Sequence, residues 1–133
     1  MKLEHVAILT KQLETMKDFY CGWFGVIANK QYQNKNTGLR TYFGQFDSAS
    51  RLELMQIEGI SEIPLINEDK RLRGLTHLAF GVDSVNDVDI LAHRMEQAGI
   101  KILRGPRKTG DGYYEFETLD PDNNRLEITT VLR

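Results

Sequence analysis

The chain opens with Leu3-Glu4-His5-Val6-Ala7, and Leu75-Thr76-His77-Leu78-Ala79 repeats its pattern of apolar and polar residues in the second half. A second pair of segments recurs at nearly the same interval, since Arg51-Leu52-Glu53 returns as Arg125-Leu126-Glu127. A pattern that recurs in both halves of a chain indicates a duplicated structural unit. The duplication places one histidine and one glutamate at matching positions of each half.

The composition is typical of a globular protein and excludes several classes of partner. Of 133 residues, 41% are hydrophobic and 27% are charged, and the formal net charge is -2. This charge gives no electrostatic reason to expect nucleic acid or an anionic membrane surface. No apolar run is long enough to span a bilayer or to act as a leader before His5. The single cysteine, Cys21, cannot form an internal disulfide, so we expect a reduced, cytoplasmic location.

Each half of the sequence predicts one strand, one helix and then three strands. The first helix is expected to be capped by Thr10 and to end at Gly25, and the second to be capped by Ser84 and to end at Gly99. Residues 59–73 show no clean period and predict a linker, within a single domain of residues 1–133, between a module at about 1–58 and a module at about 74–133. The predicted strands are 3–9, 26–33, 39–46 and 51–57, then 75–82, 101–103, 113–119 and 125–131.

Two tandem βαβββ modules predict an α+β fold of curved mixed sheets, with the helices on the convex side and a concave, metal-binding face opposite them. Successive side chains of a strand point to opposite faces of the sheet. If Glu53 enters the hollow, Leu52 and Leu54 point towards the helix, and Glu127 has equivalent apolar neighbours. If His5 enters the hollow, Val6 and Ile8 point towards the helix, and Leu78 and Phe80 do the same after His77. We therefore expect all four polar side chains on the concave face.

Two imidazoles and two carboxylates suit a divalent transition metal such as nickel, cobalt, zinc, iron or manganese. Two neutral histidines and two ionised glutamates balance a dication, which reduces the cost of burying the carboxylates. Four protein ligands leave an octahedral ion with open positions, a property of catalytic rather than structural sites. We therefore predict a metal site formed by His5, Glu53, His77 and Glu127.

These residues and their surroundings resemble the vicinal oxygen chelate superfamily and, within it, the small glyoxalase I-like proteins. In glyoxalase I, residues matching the four predicted ligands hold the metal. The resemblance implies paired βαβββ modules, usually assembled as a homodimer in which the ligands of one site often come from two subunits. Whether the site lies within one chain or across two stays open. The resemblance covers nearly the whole chain and rests on Glu4-His5-Val6-Ala7, Asp18-Phe19-Tyr20, Trp23-Phe24-Gly25, Thr76-His77-Leu78-Ala79-Phe80 and the segment 120–127.

The resemblance also implies an activity, that of an isomerase or lyase. Glyoxalase I acts on the hemithioacetal of an α-oxoaldehyde and a thiol, a small vicinal-oxygen substrate, through a metal-stabilised enediolate. A carboxylate at the metal moves a proton between adjacent carbons, first as general base and then as acid. By resemblance, Glu127 is the first choice for this base and Glu53 the second, and nickel, cobalt or zinc is the expected cofactor.

Two positions depart from glutathione-using glyoxalase I. An arginine stands there four residues after the first ligand, where this chain has Leu9, and an asparagine stands four residues after the second, where this chain has Ile57. Both changes replace a polar group with an apolar one, so another thiol adduct or another vicinal-oxygen substrate is expected. A second hypothesis is a non-catalytic small-molecule binding or resistance protein on the same fold, which would not need all four ligands.

Overall fold

The computed structural model describes residues 1–61 and 74–132. The chain divides into two compact units, Met1–Leu65 and Ile66–Arg133. Within the described residues, each unit carries one helix and one mixed sheet, which confirms the predicted α+β class. Residues 62–73, most of the predicted linker, lie outside the described residues. In the described part of the chain, neither helix is long and apolar enough to cross a membrane.

The first unit is a mixed sheet with one helix packed on it. The outer strand β1 (His5–Leu9) is parallel to β5 (Arg51–Gln56), and β5 is antiparallel to β4 (Arg40–Gln45). Strand β4 also pairs with two short strands, β2 (Ile27–Ala28) and β3 (Tyr32–Gln33). The prediction of one continuous strand at 26–33 is wrong, because the structure has two short strands there. The strand is interrupted at Asn29, whose side-chain oxygen accepts the N–H of Phe43 at 2.8 Å. The elements are β1 (His5–Leu9), α1 (Leu13–Phe24), β2 (Ile27–Ala28), β3 (Tyr32–Gln33), β4 (Arg40–Gln45) and β5 (Arg51–Gln56).

Helix α1 ends where predicted but does not begin with the predicted cap. Gly25 adopts a φ of 63°, the left-handed conformation that glycine tolerates, and its N–H donates to the carbonyl of Tyr20. The prediction that Thr10 caps the helix is wrong, because the Thr10 hydroxyl accepts the N–H of Gln12 at 3.0 Å, ahead of the first helical residue. The N–H of Thr10 donates to the carbonyl of Met55 at 2.8 Å, which holds this residue at the sheet.

The second unit repeats the order of the first. Strand β6 (Leu78–Gly81) is parallel to β9 (Arg125–Val131). Strand β9 is antiparallel to β8 (Tyr113–Leu119), and β8 is antiparallel to β7 (Ile102–Lys108). The predicted strand at 75–82 is shorter in the structure and begins just after His77, whereas the predicted strand at 101–103 continues to Lys108. The elements are β6 (Leu78–Gly81), α2 (Val85–Gln97), β7 (Ile102–Lys108), β8 (Tyr113–Leu119) and β9 (Arg125–Val131).

The second helix begins at the predicted cap, and an aspartate orders the turn before β9. The Ser84 hydroxyl caps α2 by accepting the N–H of Asp87 at 3.2 Å. In the turn, the Asp120 carboxylate accepts the N–H groups of Asp122 and Asn124, both at 2.9 Å. These bonds fix the entry to β9, the strand that carries Glu127.

Each sheet buries one face and leaves its glutamate on the other. In the first unit, Leu52 and Leu54 are nearly inaccessible to solvent and lie on either side of Glu53. In the second, Leu126 and Ile128 are fully buried on either side of Glu127. The alternation predicted from the sequence is confirmed, so both glutamates lie on the face away from the core. The buried cores are completed by Leu13, Met16, Tyr20 and Val26 in the first unit and by Val88, Ala92, Met95 and Phe116 in the second.

Candidate functional site

The first unit brings two of the predicted ligands together. Ala7 lies opposite Glu53 across the β1–β5 pair, so His5, two residues earlier, shares the face of Glu53. The His5 Nε2 atom is 3.6 Å from Glu53 Oε2. The Thr41 hydroxyl donates to the other carboxylate oxygen, Glu53 Oε1, at 3.1 Å. This bond orients the carboxylate and leaves Oε2 facing the imidazole.

The other ring nitrogen of His5 contacts its neighbour in sequence. His5 Nδ1 hydrogen-bonds Oε2 of Glu4, and Arg51 Nε donates to Oε1 of the same carboxylate at 2.7 Å. The hydrogen bond with His5, together with the nearby Arg51 guanidinium, holds the pKa of the Glu4 carboxyl below its usual range. His5 is therefore held by one carboxylate at Nδ1 and faces a second at Nε2.

The second unit contains a matching pair. Ala79 lies opposite Glu127 across the β6–β9 pair, and His77 stands two residues before it. The His77 Nε2 atom is 3.7 Å from Glu127 Oε2. The exposed fractions also match, at 38% for His77 and 19% for Glu127 against 37% for His5 and 15% for Glu53. The duplicated sequence thus produces two equivalent local arrangements.

Each pair is compatible with a bound metal ion. A separation above 3.5 Å is too long for a hydrogen bond, so the Nε2 atom is not committed to the glutamate. Two ligand atoms bound about 2.1 Å from an octahedral ion, in adjacent positions, lie about 3.0 Å apart. The two pairs, at 3.6 and 3.7 Å, would therefore have to close by about 0.6–0.7 Å to share one ion. Within 1–61 and 74–132, no group of three or more histidine, cysteine, aspartate or glutamate side chains is arranged to hold an ion. The four-ligand centre therefore stays a prediction.

A cavity of about 400 Å³ in the second unit contains one of the pairs. A larger cavity of about 620 Å³ in the first unit contains neither His5 nor Glu53 and is lined instead by residues such as Lys11, Arg40 and Ile57. We assign the candidate site to the smaller cavity, because it presents the histidine–glutamate pair. Its lining residues are His77, Arg107, Thr109, Asp111, Tyr113, Glu115 and Glu127.

Strand β8 carries two buried carboxylates that the sequence analysis missed. Glu115 is 7% and Glu117 9% exposed, and both lie on the face of Glu127. Arg107 pairs with Glu115 at 3.0 Å, and Arg125 hydrogen-bonds Glu117. Burial, and then the charge of Glu127, raises the pKa of the Glu115 carboxyl. The sequence held a signal for them, because Glu115 and Glu117 are two positions apart in the predicted strand 113–119 and therefore share one face. The next predicted strand, 125–131, carries the proposed ligand Glu127.

An irregularity in β7 places two arginines on this same face. Arg104 lies opposite Glu117, and Arg107 lies opposite Glu115. In a regular strand, two residues three positions apart would point to opposite faces of the sheet. The register shifts between them, at Gly105, whose φ is 84°. A Cβ atom there would stand 2.5 Å from the carbonyl oxygen of Glu115, so only glycine fits. The shift at this glycine lets Arg104 join Arg107 and Arg125 beside the buried carboxylates.

Comparisons with known proteins cover nearly the whole chain. A family model described as Glyoxalase/Bleomycin resistance protein/Dioxygenase superfamily matches residues 2–128. The uncharacterized protein YqjT of Bacillus subtilis (strain 168) is 30% identical over 131 residues, which are 95% of this chain and 96% of that protein. A glyoxylase/bleomycin resistance protein/dioxygenase domain from Frankia sp. EAN1pec superposes with a TM-score of 0.79 at 21% identity, covering 98% of both chains. The trypanothione-dependent glyoxalase I of Leishmania major superposes with a TM-score of 0.75 at 18% identity, covering 98% of this chain and 86% of that one.

Proposed function

The chain belongs to the Glyoxalase/Bleomycin resistance protein/Dioxygenase superfamily, and from that premise we propose that it is a metal-dependent isomerase or lyase of the glyoxalase I type. Its substrate is a small vicinal-oxygen compound, such as the hemithioacetal of an α-oxoaldehyde and a thiol. One observation supports this proposal above the others. Each unit sets a histidine Nε2 atom within 3.7 Å of a glutamate oxygen, on the sheet face away from its core.

The proposed cofactor is a divalent transition metal, with nickel, cobalt or zinc favoured, held by His5, Glu53, His77 and Glu127. When bound, the ion supplies Lewis-acid polarisation of substrate oxygens. Each imidazole offers an Nε2 atom that its glutamate does not occupy, and the two carboxylates balance the charge of the ion. The two pairs are combined either within one chain or between the subunits of a homodimer.

Glu127 is the proposed general base. It lines the cavity of the second unit, where its carboxylate removes a proton from one substrate carbon and returns it to the adjacent one. Glu53 is the weaker candidate for two reasons. It lines neither cavity, and its Oε1 atom already accepts the hydrogen bond from the Thr41 hydroxyl.

The thiol is not expected to be restricted to glutathione. Leu9 and Ile57 stand where two polar contacts to glutathione would be made, and two such contacts are worth about 1–3 kcal/mol together. Without these contacts, the preference for glutathione over other thiols should be lower by about one to two orders of magnitude. We therefore expect kcat/KM for the glutathione adduct of methylglyoxal to lie within about tenfold of that for adducts of smaller thiols. A preference for glutathione above a hundredfold, in assays at equal adduct concentrations, would contradict this expectation.

A non-catalytic binding protein on the same fold is the second candidate. It is favoured by the absence, among the described side chains, of a group of three or more metal-ligating residues. The same assay separates the two functions. An enzyme turns over methylglyoxal with at least one thiol, loses this activity in a chelator and regains it with nickel, cobalt or zinc. A sequestering protein shows no turnover with any thiol or ion.

A further inference from the structure

The two histidine–glutamate pairs match, but the residues that precede the histidines do not. Glu4 precedes His5, whereas Thr76, which has no carboxylate, precedes His77. The Glu4 carboxylate uses both oxygens, with Oε2 on His5 Nδ1 and Oε1 on the Arg51 guanidinium. Both units therefore contain the histidine–glutamate pair, but only in the first does a carboxylate precede the histidine.

The matching arginines also differ in their partners. Arg51 donates to Glu4 through its side chain, and its backbone N–H donates to the Glu4 carbonyl at 3.0 Å. Arg125, at the equivalent position of the second unit, instead hydrogen-bonds Glu117 on the neighbouring strand. In the first unit, the pairing of β1 with β5 thus brings the Glu4 carboxylate, which contacts His5, together with the Arg51 guanidinium.

Phe43 completes this arrangement in the first unit. Its ring lies beneath the Arg51 guanidinium, with 4.5 Å between the guanidinium carbon and the ring centroid. The same ring meets the His5 imidazole edge to face, at a centroid separation of 5.5 Å and an angle of 84°. The cation–π contact and the edge-to-face ring contact are both attractive. Together they restrict both the arginine that holds Glu4 and the imidazole that Glu4 contacts.

We propose that Glu4, held in place by Arg51, is a positioning residue that commits His5 to bind the metal through Nε2. A neutral imidazole has one N–H group and one free lone pair. Since a carboxylate can only accept, Glu4 selects the tautomer with the proton on Nδ1, and the lone pair is then on Nε2, the atom that faces Glu53. This inference rests on the proposed metal-dependent function and adds a supporting residue that the ligand set does not include.

Substitution of Glu4 should weaken metal binding without removing a ligand. We expect Glu4→Gln and Glu4→Ala to lower the affinity for nickel or zinc by about 10- to 100-fold, measured by competition with a chromogenic chelator. Thr76→Val, the change at the matched position, leaves the affinity unchanged. Arg51→Lys, which keeps a cation beside Glu4, retains more affinity than Arg51→Met. Glu4 is about half exposed, and unchanged circular dichroism verifies that its variants fold.

A second readout needs no metal. Nitrogen-15 shifts of the His5 ring in the metal-free protein report the proton on Nδ1, and Glu4→Ala shifts the population towards the tautomer protonated on Nε2. Wild-type protein that binds no ion contradicts the proposed function, and the tautomer measurement still decides the role of Glu4. Glu4 variants that retain the wild-type tautomer overturn the inference, whatever the affinity of the protein for metal.

Discussion

The Glu127→Gln variant is expected to lose about 10²- to 10⁴-fold in kcat, the usual contribution of a positioned general base. Glutamine keeps the shape of the side chain and an oxygen that can face an ion, but it cannot accept a proton from carbon at neutral pH. The side chain lies on the sheet face away from the core, between buried Leu126 and Ile128, so the fold should be retained. Steady-state turnover of the methylglyoxal adduct at saturating metal measures the loss.

Glu53→Gln is the matched control, because it removes the same charge from the equivalent pair of the first unit. Both variants should bind the ion more weakly, and saturating metal compensates for that shared effect. We expect Glu127→Gln to be at least about tenfold slower than Glu53→Gln, since only the former lacks the base. The reverse order would assign the base to Glu53, and wild-type turnover in Glu127→Gln would exclude Glu127 from proton transfer.

Phe116→Ala is expected to be the most destabilising single change in the second unit. Phe116 is fully buried and lies opposite Ile128, on the face of the sheet away from Glu115 and Glu117. Truncation of a buried phenylalanine costs about 3–5 kcal/mol, from lost apolar burial and the remaining cavity. This is a large part of the 5–15 kcal/mol that stabilises a typical domain.

Urea unfolding followed by circular dichroism measures this loss. Val131→Ala is the control in the same sheet, because its side chain is 57% exposed and the change should stay within about 0.5 kcal/mol. A loss below about 1 kcal/mol for Phe116→Ala would show that the described core does not carry the stability of this unit. Reduced turnover of Phe116→Ala under conditions where it stays folded would indicate that the core also positions the neighbouring carboxylates.

The order of elements and the buried face of each sheet could be predicted because they depend on local pattern. Alternation with period two around Glu53 and Glu127 specifies which side chains are buried, and the repeat indicates that both halves share one order of elements. The caps at Ser84 and Gly25 are likewise local, since each involves atoms within one turn of the helix end. Such features need no knowledge of distant partners.

The errors arose where the backbone or a side chain is held by another strand. Thr10 was expected to cap α1, but its backbone is held by Met55 across the sheet. Asn29 breaks a predicted strand because of its bond to Phe43. The strand predicted at 101–103 stops before Gly105, although in the structure it continues through the irregularity there to Lys108. Pairings of this kind depend on the tertiary structure and leave little trace in the residue pattern.

The most direct test of the central claim is the metal content of the protein purified without chelators and then saturated with nickel, cobalt or zinc. Elemental analysis should give about one tightly held ion per chain, consistent with one open catalytic site. His5→Ala and His77→Ala should each release it, since both pairs are proposed to contribute. A wild-type chain without a stoichiometric ion, or a His77→Ala variant that binds the ion as tightly as the wild type, would contradict a four-ligand metal centre.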